Sequence, residues 1–181
     1  MEAPGVPSGK ELRLRGRGAQ FRSPNFLRLR LENLDVIGML IGEYKHTIDA
    51  KKRLAIPAKL RREIGEGAVL TRGLDSSLAL YPAKEWEKMV EKISNLPSGK
   101  IDARGFSRII LAGAITAELD SLGRILIPDY LKNYAGLKRN VVIAGVHNRL
   151  EIWDEEKWDL YKKKVESEVG NMAERLGELW I

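Results

Sequence analysis

The chain contains one segment twice, and this internal repeat constrains its fold more than any other feature. Residues 48–60 return as residues 119–131, with Asp, Arg, Ile, Pro and Leu in register at an offset of 71. After one inserted residue the match continues at an offset of 72, and it ends with Trp86 and Trp158. A repeat of this length indicates two copies of one supersecondary unit. We therefore predict a pseudo-symmetric pair of units, in which any chemistry carried by the repeated polar residues is present twice.

Each unit has the pattern β-loop-β-helix-β-turn-β, followed by a longer helix. Pro57 and Gly65 bracket a short helix in the first unit, and Pro128 and Gly136 bracket its counterpart. Proline is favoured at the first position of a helix and glycine just after its last turn. Four short strands and one small helix cannot form a core alone, so the two units are expected to interleave their sheets. We predict an α+β fold, mainly β: a small closed or half-closed barrel with flanking helices.

The pattern divides the chain into five parts. These are an N-terminal extension at 1–38, unit 1 at 43–85, a helical connection at 86–113, unit 2 at 114–157 and C-terminal helices at 158–181. Asp154 is placed to cap the first of these last helices, since Asp is a preferred N-cap residue. Gly170 is expected to interrupt the helical pattern.

The N-terminal extension differs from the remainder of the chain. Residues 1–38 hold seven basic and four acidic side chains and many Gly, Pro and Ser residues. Turn formers at this density predict disorder or an arm. Met39 then opens the segment Met39–Tyr44, and the favoured interpretation is that translation begins there. The alternative is a basic arm that follows DNA.

Composition narrows the classes of function. The chain has 181 residues and a net charge of +6, which favours a polyanionic partner. It has no cysteine, so disulfides and thiolate metal sites are excluded, and the two histidines have no metal-site spacing. No apolar run is long enough for a membrane span, and no signal-peptide pattern is present. We predict a cytoplasmic protein without cofactor or membrane partner.

The repeated polar motif is Asp-x-x-x-Arg, formed by Asp49 and Arg53 in unit 1 and by Asp120 and Arg124 in unit 2. An arginine at the end of a tight polar loop can present its planar guanidinium to a phosphate or to guanine O6 and N7. The alternative is an intramolecular Asp–Arg pair that closes the loop. Both hold if the aspartate orients the arginine, and the residues alone leave the two interpretations open.

The two loops differ in charge. Lys51 and Lys52 in the first loop are interpreted as phosphate contacts, since lysine has little base selectivity. Ser121 and Leu122 stand in the second loop, so unit 1 is expected to supply more of the electrostatic attraction. Six further basic residues of the units are interpreted as a solvated face: Lys59, Arg61, Arg62, Arg72, Arg139 and Arg149.

Enzyme chemistry has little support in the sequence. It contains no Gly-rich phosphate loop, nucleophile elbow or metal-ligand constellation, and no acid or base recurs beside Asp49 and Asp120. The tryptophans at repeat-equivalent positions are interpreted as packing residues. We predict that the chain is not an enzyme. Three classes of function remain: a sequence-specific DNA-binding regulator, a structural ring or nucleoid-coating protein, and a small hydrolase.

Several segments together resemble the bacterial MraZ family, whose members carry two SpoVT/AbrB-like units with Asp-x-x-x-Arg in each. The matching segments are Met39–Glu43, Asp49–Arg53 with Ile56-Pro57, Leu78–Trp86, Leu111–Gly113, Asp120–Arg124, Val142–Asp154 and Glu174–Leu176. The resemblance implies a double-split β-barrel whose protomers assemble into a ring-shaped homo-oligomer. It also implies a transcription factor that binds double-stranded DNA at direct repeats upstream of its own operon, in the division and cell-wall gene cluster. An AbrB-like antitoxin is an alternative.

One residue departs from the family pattern. The family usually has glycine before the first motif arginine, as Gly123 stands before Arg124, but Lys52 occupies that position in unit 1. Either the first loop avoids a positive φ, or Lys52 is strained.

Overall fold

The computed structural model describes residues 39–65 and 67–177. The strands in these ranges are β1 Leu40–Thr47, β2 Arg53–Ala55, β3 Ala68–Arg72, β4 Leu78–Pro82, β5 Ile115–Ala117, β6 Arg124–Leu126, β7 Asn140–His147 and β8 Leu150–Asp154. The helices are α1 Ala58–Ile64, α2 Ala83–Ser94, α3 Ile101–Leu111, α4 Asp129–Ala135 and α5 Glu155–Leu176. The predictions made for residues 1–38 lie outside the described residues.

The strand order reflects the internal repeat. Six strands form one antiparallel sheet in the order β1-β7-β8-β4-β3-β5, and β2 pairs with β6 in a separate ribbon. Because β1 to β4 correspond to β5 to β8, exchanging the units reverses this order onto itself. The pseudo-two-fold axis passes between β4 and β8, and in the ribbon Leu54 lies opposite its own counterpart Ile125. The predicted interleaving of the two units is therefore confirmed.

The larger sheet is open at both ends. Strands β1 and β5 end it and do not pair with each other, so strand pairing does not close it into the predicted barrel. One physical reason is length. Strand β5 has only three residues and pairs with β3, so it offers few backbone groups with which the eight-residue β1, already paired with β7, could close the sheet. The α+β class itself is confirmed.

One hydrophobic cluster joins the ribbon to the larger sheet. Side chains alternate along the ribbon with a period of two, and its inward side chains are fully buried: Leu54, Ile56, Ile125 and Ile127. They share this cluster with residues of the larger sheet, among them Leu70, Leu80, Ile143 and Ile152. Burying one Leu or Ile side chain stabilises a fold by roughly 1.5–3 kcal/mol. The inward face therefore anchors the ribbon and leaves its other face at the surface.

Aromatic residues at repeat-equivalent positions pack in pairs. The ring centroids of Tyr81 and Trp86 lie 5.8 Å apart, and those of their counterparts Trp153 and Trp158 lie 5.5 Å apart. Tyr161 joins the second pair, with its ring centroid 5.0 Å from that of Trp153. The interpretation of these tryptophans as packing residues is confirmed.

Two expectations about the C-terminal region were wrong. Helix α5 runs unbroken from Glu155 to Leu176, because one glycine costs only about 1 kcal/mol relative to alanine and leaves the backbone hydrogen bonds in place. Asp154 stands at the N-cap, but its side chain does not cap the helix. It is buried, and its Oδ2 accepts the Lys138 backbone N–H at 3.0 Å. None of the helices in the described ranges is long and apolar enough to cross a membrane.

Candidate nucleic-acid interface

The two motif loops have the same backbone geometry. In each, the aspartate N–H donates to the arginine carbonyl four residues later, at 2.9 Å for both Asp49 and Asp120. The residue before the arginine then donates its N–H to the aspartate carbonyl. That residue has a positive φ in both loops, 60° for Lys52 and 73° for Gly123. Of the two alternatives for Lys52, which replaces the usual glycine, the second is therefore correct: the first loop keeps the positive φ of a glycine, and Lys52 is strained.

Each aspartate side chain holds its own loop and its own arginine. Asp120 Oδ1 accepts the backbone N–H groups of Leu122 and Arg124 at 3.0 and 2.9 Å. Asp120 Oδ2 accepts Arg124 Nε at 2.8 Å and lies 2.7 Å from Nη2. Asp49 makes the same contacts with Lys51 and Arg53, at 2.8 to 2.9 Å. The loop-closing pair is therefore present, and it fixes the orientation of both guanidinium groups.

These contacts lower the pKa of both aspartates. The Arg124 side chain, followed by its backbone N–H, lowers the pKa of Asp120 from 3.8 to about 2. The Arg53 backbone N–H is the largest cause of the lowered pKa of Asp49. A carboxylate with a lowered pKa is poorly suited to proton transfer near neutral pH. The pairs therefore suit anion recognition better than acid–base chemistry.

Pairing of β2 with β6 brings the two loops together. Arg53 lies opposite Leu126 in this ribbon, and Ala55 lies opposite Arg124. All four residues alternate with buried neighbours, so they share the outward face. Arg124 Nη1 lies 3.9 Å from Asp49 Oδ2, which links the second motif to the first. The major groove of DNA admits a two-stranded ribbon of this kind.

The two lysines of the first loop have different surroundings. Lys51 is exposed at the loop tip. Lys52 donates through Nζ to Asp129 Oδ2 at 2.6 Å, at the start of α4 in the other unit. Of these two lysines, therefore, only Lys51 can bind a phosphate without first breaking an ion pair.

Basic residues of unit 2 surround the first loop. An open depression beside Asp49 and Ala50 is also lined by Lys132, Lys138 and Arg139. Lys138 is paired with Glu156 at 2.5 Å. Lys132 is not among the site residues predicted from the sequence, although the repeat offered a signal: it is the counterpart of Arg61, which lies against Gly123 of the second loop.

The solvated-face interpretation is wrong for Arg72. Its Nη1 donates to the Ile109 carbonyl at 2.8 Å. Its guanidinium carbon lies 5.8 and 5.5 Å from the ring centroids of Tyr130 and Tyr134. Arg72 therefore joins β3 of the first unit to α4 of the second, and is a structural residue. Within residues 39–65 and 67–177, no cluster of His, Cys, Asp and Glu is arranged to hold a metal ion.

Comparison with known families accounts for this duplicated motif. The model of the family described as "MraZ protein, putative antitoxin-like" matches residues 39–109 and 110–177. The chain belongs to the MraZ family. The two matches meet inside α3, so each contains one motif loop and the strands around it.

Individual MraZ relatives cover most of the chain. A protein of Natranaerobius thermophilus is 49% identical over 138 residues, which are 76% of this chain and 96% of that protein. A protein of Thermoanaerobacter sp. (strain X514) is 47% identical over 143 residues, 79% of this chain and 100% of that protein. Both are named "Transcriptional regulator MraZ". The resemblance read from the motifs is confirmed.

Proposed function

We propose that the chain is a transcriptional regulator that binds double-stranded DNA sequence-specifically and is not an enzyme. One observation carries the proposal: Arg53 and Arg124 share the outward face of a two-stranded ribbon, each held at Nε and Nη2 by an aspartate. An arginine fixed in this way keeps its remaining N–H groups for a bidentate contact with guanine O6 and N7. The names of the relatives support the same function.

Six residues of the two loops have proposed roles. Arg53 and Arg124 contact bases or phosphates, and Asp49 and Asp120 orient them. Lys51 contacts a phosphate and supplies affinity without base selectivity. Lys52 does the same only when it releases Asp129, so its contribution is the smaller one.

The operator and the assembly follow from the family resemblance and from the repeat. We infer direct repeats upstream of the chain's own operon, in the division and cell-wall gene cluster, bound in the cytoplasm at the nucleoid. Two pseudo-equivalent units can associate head-to-tail, and such contacts either close into a ring or grow without limit; we infer the closed ring. Successive loops of a ring would meet repeats spaced near one helical turn, about 10 bp. The core shared by ribbon and sheet supports a double-split barrel as the protomer fold.

Fluorescence anisotropy with the arginine variants tests the site. The probes are a duplex from upstream of the chain's own gene and a shuffled duplex of equal length. Arg53→Ala and Arg124→Ala should each lower affinity for the upstream duplex at least about fivefold, as expected for a lost bidentate contact worth about 1–3 kcal/mol. Arg175→Ala, an exposed arginine late in α5, is the matched control and should bind like wild type. Wild-type affinity in both motif variants would refute the site.

The assembly has a separate test. Light scattering should give the mass of a closed oligomer, and a footprint should protect direct repeats. A stable monomer or dimer, or a protected inverted repeat, would refute the ring and leave DNA binding intact. Equal affinity for the upstream and shuffled duplexes would favour the alternative, a nucleoid-coating ring protein or an antitoxin without a dedicated operator.

A further inference from the structure

The ribbon face is chemically asymmetric although its backbone is symmetric. Alanine at position 55 corresponds to Leu126 in the second unit, and Lys51 corresponds to Leu122. The two leucines are 56% and 61% exposed. The first loop carries two lysines, Lys51 and Lys52, whereas two leucines flank Arg124 in the second unit.

Leu126 has a defined place on this face. It is the cross-strand neighbour of Arg53 and lies two residues after Arg124 on the same strand face. Its neighbours Ile125 and Ile127 are fully buried, so packing on the inward side holds the strand that presents it. An apolar side chain thus adjoins both arginines, on a strand held by packing.

The major groove offers one apolar group to such a side chain. Guanine presents two acceptors there and adenine an acceptor and a donor, whereas thymine presents its C5-methyl group. A leucine beside two guanine-reading arginines matches that methyl group in polarity. A second protein copy on this face would instead bury the charge of Lys51, and burying an unpaired charge is costly.

We propose that Leu126 is a specificity-determining residue that packs on the C5-methyl group of a thymine in the major groove. This inference rests on the proposed DNA-binding function. It also assigns different roles to the two units: the first loop contacts the DNA backbone through Lys51, and β6 of the second unit distinguishes thymine through Leu126.

Replacing thymine with deoxyuridine tests the contact atom by atom, because it removes the methyl group and keeps every hydrogen-bonding group. The probe is a duplex that the wild-type protein selects from a random-sequence pool. Each thymine in turn is replaced by deoxyuridine, and affinity is measured by anisotropy. Wild-type protein should bind about fourfold more weakly at one or more positions, the effect of about one buried methyl group.

Variants of Leu126 test whether this side chain makes the methyl contact. Leu126→Ala should bind the selected duplex more weakly and should lose the difference between thymine and deoxyuridine at those positions. Leu126→Met, which keeps an apolar side chain of similar volume, should retain it. Leu160→Ala is the matched control, since Leu160 is 68% exposed on α5, and it should retain the full difference.

The outcomes separate this inference from the function on which it rests. A wild-type protein that selects no duplex would overturn both. A selected duplex without any methyl effect, or a methyl effect that persists in Leu126→Ala, would overturn the thymine contact alone. A changed oligomer mass for Leu126→Ala would place the residue between copies of the chain and would also overturn it.

Discussion

At the scale of single residues, the two motif loops build one turn with different residues. Gly123 has the positive φ that glycine adopts at no steric cost, and Lys52 adopts nearly the same φ, which costs a side-chain-bearing residue about 1–2 kcal/mol. The Lys52–Asp129 ion pair offsets little of that strain, because Lys52 is 45% and Asp129 64% exposed and exposed pairs contribute ~0–1 kcal/mol. The first loop is therefore a site of stored backbone strain.

Lys52→Gly is expected to stabilise the protein. Glycine removes the strain, and Lys52→Ala is the matched control because it removes the ion pair and keeps the strained φ. Urea unfolding should give Lys52→Gly a free energy of unfolding about 1 kcal/mol above that of Lys52→Ala. Equal stability of the two variants would show that the lysine backbone is not strained.

The carboxyl group of Asp120 is expected to titrate near pH 2. Its pKa is about 2 in the folded protein and 3.8 without its partners, so its contribution to stability is fully present above pH 3.8. That contribution is lost as the pH falls from 3.8 through 2. Carbon-13 NMR of the aspartate carboxyls gives the value directly. Arg124→Gln should raise this pKa, because the Arg124 side chain is the largest cause of the shift, and an unchanged pKa would contradict the pair.

At the scale of elements, local sequence signals located single helices and loops, but they did not predict which strands pair. The offsets of the repeat located both short helices and both motif loops. Turn and proline signals cannot reveal that Asp49 lies near Arg124, because that contact depends on the pairing of β2 with β6. The Lys52–Asp129 pair and the role of Arg72 were missed for the same reason: each joins side chains from different units.

Arg72→Lys is expected to destabilise the fold by about 1 kcal/mol, since lysine loses the planar contact with two tyrosine rings and the fixed donor to Ile109. The charge is unchanged, so the comparison isolates shape. Arg108→Lys, on an exposed position of α3, is the matched control and should unfold like wild type. Urea unfolding measures both, and equal stability of the two variants would return Arg72 to a solvated role.

At the scale of the whole molecule, the two sequence repeats form one structural unit. Four of the six strand pairings in the described part of the chain join the units: β1–β7, β2–β6, β3–β5 and β4–β8. The core cluster also draws on both. Short sheets without a shared core are marginal in water.

Neither half is therefore expected to fold alone. Fragments divided in the segment 95–100, between α2 and α3, should each lack cooperative unfolding by circular dichroism. Mixed in equal amounts, they should regain the strand signal and a cooperative transition. Cooperative unfolding of either fragment by itself would contradict the shared core.

The pairing of β1 with β7 has a consequence for synthesis. Residue 40 leaves the ribosome about a hundred residues before its partner His147, and domains complete their folding only when their distant contacts are available. Of the strands in the described residues, β1 is the first to be synthesised, and it stays unpaired until β7, the last but one, is available. The sheet is thus completed only after β7 has left the ribosome, and the β1 edge stays open to other chains until then.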